Sequence, residues 1–279
     1  MTFTTLLPRA LRNLLDPRRL EITSRIGCKN NCAYCPQDRL IKNYPGEDPM
    51  IMTFDNFRKY VDKIPTDVKL HFSGMAEPFL NPECSTMIEY AYNKRHLIGI
   101  YTSLIGMSKK DIKRLKGKYI DPFVIHTPDN NFFRLRNDGI DEWIRTLKLL
   151  LKFRLNFEVL IVGKTSIDSR IVRVISNSKR KVVSTPICSR ASNLDTVKVE
   201  YRKGKIKCKQ GRLTKNVLLP NGNILLCCMD YGQRHVLGNL NEGNYHDIFN
   251  SEAYTRVLDS MNDETIESIC RYCENAIEA

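Results

Sequence analysis

Apolar and polar residues alternate along the first two thirds of the chain in segments that fit strands and helices in turn. Short apolar runs, typical of buried parallel strands, separate longer segments whose apolar residues recur every three or four positions. Thr53 and Ser108, the latter followed by Asp111, are placed to cap two of the helices. The predicted strands are 20–23, 68–72, 98–101, 122–125, 157–162 and a weaker 182–183. The predicted helices are 54–64, 84–92, one beginning after Ser108, 141–153 and 166–176.

Strands that alternate with helices imply right-handed crossover units and a parallel sheet. Six such units predict an α/β fold, a partial (β/α) barrel over residues 20–194 that follows an N-terminal extension, 1–19. In such folds the functional residues lie on loops at the carboxyl ends of the strands. The loops after the strands are therefore the first place to look for chemistry.

From about residue 195 the pattern changes to short strands, predicted at 197–201, 217–219 and 224–226. Asn221-Gly222 between the last two is a strong signal of a hairpin. A helix is predicted over 245–261, before a tail that contains Cys270 and Cys273. Residues 195–279 are therefore expected to form a small β-hairpin and helix domain that packs on the barrel.

Composition narrows the class of protein. The chain has 279 residues, 42% of them hydrophobic and 27% charged, which is ordinary for a globular protein with a core. We find neither a signal-peptide core nor an apolar run that could span a membrane, so we predict a cytoplasmic protein without a membrane partner. Ten cysteines in such a protein favour metal binding over disulfides.

The net charge of +13 leaves two interpretations open. It favours acidic partners such as phosphorylated metabolites, or it is a solvated basic surface. Since no recognised nucleic-acid-binding signature accompanies it, nucleic acid is not an expected partner.

The first candidate site is the loop of Cys28, Cys32 and Cys35, which follows the first strand. Three thiolates can hold three irons of a 4Fe–4S cube and leave the fourth iron open. A zinc site would need a fourth ligand from elsewhere in the chain, and that alternative stays open here. The CxxxCxxC spacing, with Tyr34 before the last cysteine, resembles the cluster loop of the radical S-adenosylmethionine (SAM) enzymes.

The resemblance implies a cofactor and a chemistry. In that family the open iron chelates the amino and carboxylate groups of SAM. One electron from the cluster then breaks a C–S bond and yields a 5′-deoxyadenosyl radical. The electron comes from an external low-potential donor such as flavodoxin or ferredoxin.

The second motif begins where the second strand ends and reads Ser73-Gly-Met-Ala-Glu-Pro78. It resembles the GGEP motif of radical SAM enzymes, with Ala76 in place of the usual glycine. A plain strand-to-helix turn is the alternative. The resemblance implies that Glu77 and nearby backbone groups hold the ammonium of SAM, and that residues after later strands line its ribose and adenine. The resulting cofactor-binding candidates are Tyr34, Gly74, Met75, Ala76, Glu77, Pro78, Thr102, Ser103, His126 and Gly163.

Ser189-Arg-Ala-Ser-Asn193 follows the sixth strand and resembles the Ser-Arg-Ala-Gly-Asn stretch of SPASM-type radical SAM enzymes. Arg190 would then point into the barrel mouth, where a guanidinium suits a carboxylate, a phosphate or a hydroxyl. It is our candidate catalytic residue. An arginine that pairs across the two parts of the fold is the alternative.

Four late cysteines, Cys208, Cys227, Cys270 and Cys273, form the third motif. They can ligate a second 4Fe–4S cluster or a structural zinc ion. Their spacing resembles the SPASM/twitch auxiliary-cluster domain, in the shortened form with one cluster. Cys228 is left as a spare thiol or a substitute ligand.

These resemblances imply a radical SAM oxidoreductase. We predict hydrogen abstraction from a small polar substrate, sugar- or metabolite-like, in a two-electron oxidation, since relatives with the twitch domain include an aminocyclitol alcohol dehydrogenase. The alternative is a maturase that modifies a ribosomally made peptide. A second alternative is a non-catalytic zinc protein that binds nucleic acid.

Overall fold

The computed structural model describes residues 18–195 and 197–279. Most of the predicted N-terminal extension, 1–19, lies outside the described residues. The helices are α1 (Gln37–Asn43), α2 (Phe54–Val61), α3 (Cys84–Asn93), α4 (Lys109–Leu115), α5 (Asn137–Lys152), α6 (Ser169–Ser178) and α7 (Glu252–Asn262). The strands are β1 (Arg19–Ile22), β2 (Lys69–Phe72), β3 (Ile98–Thr102), β4 (Ile120–His126), β5 (Glu158–Val162), β6 (Val182–Thr185), β7 (Ile206–Cys208), β8 (Lys215–Leu218), β9 (Asn223–Leu225), β10 (Val236–Asn239) and β11 (Ala276–Glu278).

Strands β1 to β6 pair in chain order, and every pair is parallel. The predicted six-unit partial barrel is therefore confirmed. The sheet continues beyond it, because β8 pairs in parallel with the other edge of β1, with Arg19 opposite Lys215. Strands β9 and β10 extend it in antiparallel fashion, which gives nine strands in one sheet. The predicted hairpin at Asn221-Gly222 thus continues the barrel wall.

Side chains of β1 alternate between two environments, as the pleat requires. Leu20 and Ile22 are fully buried in the core between the sheet and the helices. Arg19 and Glu21 face the other way, into the lumen that the curved sheet encloses. Burying an aliphatic side chain of this size stabilises the fold by about 1.5–3 kcal/mol, so the apolar positions fix which face of β1 meets the helices.

Both predicted helix caps are present. The Thr53 side chain accepts from the backbone N–H of Asn56, and Ser108 forms the full capping box with Asp111. The long helix α5 places Trp143 in the core, where its indole N–H donates to the carbonyl of Ser103 at 2.8 Å. This bond ties α5 to the loop after β3, which belongs to the candidate site.

Two predicted elements are corrected, and one helix was missed. Residues 197–201 form no strand, and the short strand of this region is β7, paired with β11. The predicted helix 245–261 divides at Ser251, which caps α7 after a 3₁₀ helix at Asp247–Asn250. Helix α1 was not predicted, because it has seven residues and directly follows the cysteine loop. In the described part of the chain, no helix has the length and apolar character to cross a membrane.

Candidate active site

The loop after β1 turns its three cysteines toward one cavity of about 590 Å³. The backbone N–H of Cys35 donates to the carbonyl of Cys32 at 3.0 Å, which closes a tight turn. The loop is also fixed from outside. Asn30 donates to the hydroxyl of Ser103 at 2.6 Å, and the N–H of Ala33 donates to the carbonyl of Phe132 at 2.8 Å.

Burial makes the ionised form of these thiols unfavourable in the polypeptide alone. Burial, with smaller contributions from the neighbouring thiols Cys35 and Cys28, raises the pKa of Cys32 to about 12. The same effect of burial raises the pKa of Cys28. A cationic metal centre would reverse this balance, because a coordinating thiol loses its proton.

The opposite wall of the cavity is the segment 73–77, which follows β2. Gly74 has φ of +61°, and a Cβ built there would lie 2.1 Å from Oγ1 of Thr23. Only glycine fits this position. Met75 is held on both sides, since its N–H donates to the Thr23 hydroxyl at 3.0 Å and its carbonyl accepts from Gln37.

Ala76, where the family usually has glycine, is not among the described residues with positive φ. Its backbone conformation is therefore one that alanine adopts without strain. The departure from the GGEP pattern does not distort this wall.

The carboxylate of Glu77 is buried and accepts four hydrogen bonds from the chain. Oε1 accepts from the Thr102 hydroxyl at 2.7 Å and from the N–H of Phe79 at 3.1 Å. Oε2 accepts from both the N–H and the hydroxyl of Ser103 at 2.6 Å. Burial raises the pKa of Glu77, and these hydrogen bonds oppose that rise. A carboxylate has about four acceptor positions, so these four hydrogen bonds occupy the Glu77 carboxylate fully. An ammonium at this wall would therefore be bound by backbone groups of 73–76.

The structure brings most of the other cofactor-binding candidates to the same cavity. Tyr34, Thr102, Ser103 and His126 line it together with residues 73–77. Burial lowers the pKa of His126 to about 4, helped by the charge of Arg190, so the ring is neutral near pH 7.

Two candidates lie outside this lining. Pro78 is the first residue of a buried 3₁₀ helix, Pro78–Leu80. Gly163 packs against Phe132 and Ile187, and its Cβ would lie 2.8 Å from the Phe132 ring. Its positive φ explains the glycine without a ligand.

The late cysteines line a second, mostly apolar cavity of about 380 Å³, formed by Cys208, Cys227, Cys270 and Cys273. Backbone N–H groups of Arg212 and Asn275 donate to the sulfurs of Cys208 at 3.5 Å and Cys273 at 3.4 Å. Burial raises the pKa of Cys270 to about 11. Donors aimed at sulfur are typical of thiolates that ligate metal.

Cys228 is excluded from this second cavity. It follows β9 on the face opposite to Cys227, as neighbouring residues of an extended chain do. Its sulfur accepts a hydrogen bond from Nη1 of Arg212 at 2.9 Å and lines the lumen. The geometry therefore places Cys227, and not Cys228, with the other three late cysteines.

The lumen of the barrel is the third and largest of these cavities, about 960 Å³. It shares six wall residues with the cavity of the cysteine loop, so the two are continuous. They are Tyr34, Ser73, Gly74, Tyr101, His126 and Arg190. The predicted position of Arg190 at the barrel mouth corresponds to this shared wall.

Sequence reasoning missed several polar residues of the lumen, among them Glu21, His71 and Arg212. Glu21 and His71 carried a usable signal, because each is a polar residue between buried apolar neighbours in a predicted strand. Arg212 carried none, since it lies within a run of basic residues, 202–215.

Both cysteine sets fit the clusters that the motifs imply. No three His, Cys, Asp or Glu side chains surround a single metal-ion position within residues 18–195 and 197–279. The cysteines instead line two cavities. The three thiols of the cysteine loop face a polar wall, in which the Ser73 hydroxyl has no hydrogen-bond partner. The four late thiols face an apolar wall. A cluster with one open iron needs the first arrangement, and a fully ligated cluster suits the second.

Comparison with known proteins agrees with this geometry. The sequence model of the Radical SAM superfamily matches residues 23–175, more than half of the chain. That of SPASM, an iron-sulfur cluster-binding domain, matches residues 208–274. At the level of sequence, no curated protein matches the chain.

Several solved structures share the fold at low sequence identity. BtrN in complex with AdoMet and 2-DOIA is 16% identical, with a TM-score of 0.60 over 94% of this chain and 93% of that one. Native anSMEcpe with bound AdoMet is 12% identical, with a TM-score of 0.60 over 92% and 86%. Streptococcus suis SuiB bound to precursor peptide SuiA is 15% identical, with a TM-score of 0.64 over 95% and 72%.

These similarities favour an enzyme over the alternative of a non-catalytic zinc protein. The chain belongs to the radical SAM superfamily and carries a C-terminal SPASM domain, so it is an enzyme that uses SAM, a SAM-binding 4Fe–4S cluster and an auxiliary cluster.

Proposed function

We propose that the enzyme binds a small polar substrate in the lumen cavity and oxidises it by two electrons after hydrogen abstraction. The observation that carries the proposal is the continuity of the lumen with the cavity of the cysteine loop. A substrate in the lumen would lie beside SAM without any barrier of protein between them. The similar fold of BtrN, described with AdoMet and 2-DOIA, supports a small molecule in this position.

We assign the cofactor ligands from the same geometry. Cys28, Cys32 and Cys35 would hold the SAM-binding cluster, and the four late cysteines would hold the auxiliary one. When bound, the first cluster and SAM supply the radical that removes a hydrogen atom, and the auxiliary cluster supplies an acceptor for an electron. The first cluster would be reduced by an external donor such as flavodoxin or ferredoxin, which also supports a cytoplasmic location.

The chain's own residues would bind and orient SAM and the substrate. Backbone groups of 73–76 face the cavity and are available to the ammonium of SAM, while Glu77 fixes the ends of β2 and β3 beside it. The rings of Tyr34 and Tyr101 line both cavities where the two join, so they would contact both SAM and the substrate. Arg190 reaches the shared wall and would orient the substrate.

The first experiment measures iron, sulfide, zinc and SAM cleavage after anaerobic reconstitution. We expect about eight irons per chain in the wild type and about four in the Cys28/Cys32/Cys35→Ala variant, which should form no 5′-deoxyadenosine. Cys84→Ala is the matched control, because this buried thiol of α3 lies outside the three cavities. Equal iron in all three proteins would contradict the assignment.

The second experiment tests the substrate and the reaction. Sugar derivatives and synthetic peptides are offered separately, and formation of 5′-deoxyadenosine above the rate without substrate reports acceptance. We expect stimulation by a sugar derivative and a product lighter by two hydrogen atoms. Stimulation by peptides alone, or a product of unchanged mass, would contradict the proposal.

A further inference from the structure

The charged groups of the lumen are unbalanced. Three guanidinium groups, those of Arg19, Arg190 and Arg212, line it with a single carboxylate, Glu21. Its two histidines do not add to this charge, because burial lowers the pKa of His71 well below its usual range and that of His126 to about 4. The wall therefore carries a net charge of two positive units at neutral pH.

We propose that the lumen is a binding site for an oxyanion, and that the substrate carries a phosphate or carboxylate group bound by Arg190 and Arg212. This inference rests on the proposed function, in which the substrate occupies the lumen, and it specifies the chemical class of that substrate. Arginine is the side chain best suited to both groups, since its planar fork binds two oxygens at once.

Arg190 is the strongest evidence. Across residues 18–195 and 197–279, its guanidinium has neither a hydrogen-bond acceptor nor an ion-pair partner. Its Nε is buried without a partner, and the Tyr231 ring lies 6.0 Å from the guanidinium. The thiols of Cys188, Cys228 and Cys35 are also nearby, but none of them accepts a hydrogen bond from it. A desolvated charge without a counter-charge is costly, so an unpaired arginine in a cavity indicates an anionic ligand.

The backbone that presents Arg190 is strained. Arg190, Ala191 and Ser192 have φ of 55°, 53° and 59°, three consecutive left-handed residues of which none is glycine. Each such residue costs about 1–2 kcal/mol, so the loop holds this shape only because its surroundings enforce it.

The enforcing contacts come mainly from the C-terminal region. The carboxylate of Glu274 accepts from the Ser189 hydroxyl at 2.6 Å and from the N–H of Ala191 at 3.4 Å. Asn193 donates to the carbonyls of Arg190 at 2.6 Å and Met229 at 2.9 Å. The SPASM region thus fixes the direction of the Arg190 side chain.

Arg212 is the second cation of the site, and it lines both the lumen and the cavity of the late cysteines. Nη1 donates to the Cys228 sulfur at 2.9 Å, while Nε is buried without a partner. The guanidinium groups of Arg190 and Arg212 are close enough to repel each other. The carboxylate of Glu21, the one acidic group among the described residues of the lumen, forms its ion pair with Arg19 at 3.1 Å. An oxyanion between Arg190 and Arg212 would relieve that repulsion.

Neutral groups could complete the recognition. His71 Nε2 and the Ser73 hydroxyl are buried in this wall without hydrogen-bond partners. Both can donate to an oxygen, and unpaired buried polar atoms of this kind are uncommon in native proteins.

The test is calorimetric titration of the reconstituted enzyme saturated with SAM. The probes are glucose 6-phosphate, glucuronate and glucose, which present a phosphate, a carboxylate and neither. The variants are Arg190→Gln and Arg212→Gln. Arg145→Gln, on the exposed face of α5, is the matched control.

We expect at least one anionic probe to bind about tenfold or more tightly than glucose. Each lumen variant should weaken that binding about 10- to 100-fold, because a charge-assisted hydrogen bond contributes about 1.5–3 kcal/mol. The anionic probe that binds more tightly, glucose 6-phosphate or glucuronate, shows whether the site prefers a phosphate or a carboxylate. The control variant Arg145→Gln should bind SAM and both anionic probes with the affinities of the wild type.

Three results would overturn the inference. The first is that neither anion binds more tightly than glucose, or that neither binds at all. The second is that the lumen variants bind the anions like Arg145→Gln. The third is that Arg190→Gln loses SAM affinity, which would assign that arginine to the carboxylate of SAM. Reductive cleavage of SAM without substrate is measured on the same samples. If cleavage persists while the anion effects are missing, the inference fails and radical SAM chemistry stands. If cleavage is also absent, the proposed function fails.

Discussion

Glu77 joins the end of β2 to the end of β3 through Ser103, whose N–H and hydroxyl both donate to one carboxylate oxygen at 2.6 Å. Ser103 in turn accepts from Asn30 of the cysteine loop at 2.6 Å. The GGEP-like segment, the third strand and the cysteine loop therefore form one hydrogen-bonded unit. A disturbance at Glu77 should reach all three.

We predict that Glu77→Gln weakens SAM binding about tenfold and destabilises the protein by about 1–3 kcal/mol. The amide would present donors to the donors of Ser103 or Thr102, and a buried polar group without a partner carries a penalty of this size. Urea unfolding and SAM titration measure the two effects.

Glu142→Gln on the exposed face of α5 is the control for Glu77→Gln. If both variants have the same free energy of unfolding, the hydrogen bonds of Glu77 do not stabilise the fold and the prediction is wrong.

A second prediction separates backbone strain from steric exclusion at Gly74. Gly74 and Gly204 have φ of +61° and +64°, but an added Cβ meets Thr23 at 2.1 Å in the first case and nothing within 4 Å in the second. Gly204→Ala should cost about 1 kcal/mol. Gly74→Ala should cost about 1–3 kcal/mol more, because it overpacks the wall.

SAM titration of the two alanine variants tests the functional side. Gly74→Ala should lose SAM affinity, while Gly204→Ala should keep it, because Gly204 lies outside the three cavities. Equal losses of stability in the two variants would mean that Thr23 can move aside.

Local patterns predicted the barrel and the first cysteine set, because each depends on residues close together in sequence. The late cysteines, spread over 208–273, were predicted from the resemblance of their spacing to a known domain. The strand periods fixed β1 to β5, and the spacing of Cys28, Cys32 and Cys35 fixed their loop. The lumen could not be predicted in the same way. Arg212 and Glu21 meet there only because β8 pairs with β1, a contact between segments almost two hundred residues apart. The strand pair β7–β11 was missed for the same reason.

The third prediction concerns the adjacent thiols. Cys227→Ser should retain about four of eight irons, because it removes one ligand of the auxiliary cluster. Cys228→Ser should retain all of them, since its sulfur faces Arg212 and the lumen. Iron and sulfide analysis with electron paramagnetic resonance of the reduced proteins distinguishes the two. Iron loss in Cys228→Ser alone would reverse the assignment.

The last prediction is a loss of stability in mild acid that involves His96. Burial lowers the pKa of this histidine, and its hydrogen bond with the Val68 carbonyl at 3.1 Å only partly offsets the effect. Between the lowered folded pKa and the unfolded value near 6.5, the unfolded chain binds more protons. The free energy of unfolding must therefore fall as the pH falls through this window, by up to about 1.4 kcal/mol per pH unit.

In His96→Gln this contribution is absent, so the variant should lose less stability than the wild type between about pH 6.5 and 5.5. Urea unfolding followed by the fluorescence of Trp143, the single tryptophan, measures the difference at each pH. Comparing the two proteins at the same pH removes the contributions of His71, His126 and His235, whose pKa values burial also lowers. His246→Gln, at an exposed ring beside Arg18, is the control and should follow the wild type. Parallel pH profiles for wild type and His96→Gln would show that His96 is free to take up its proton in the folded enzyme.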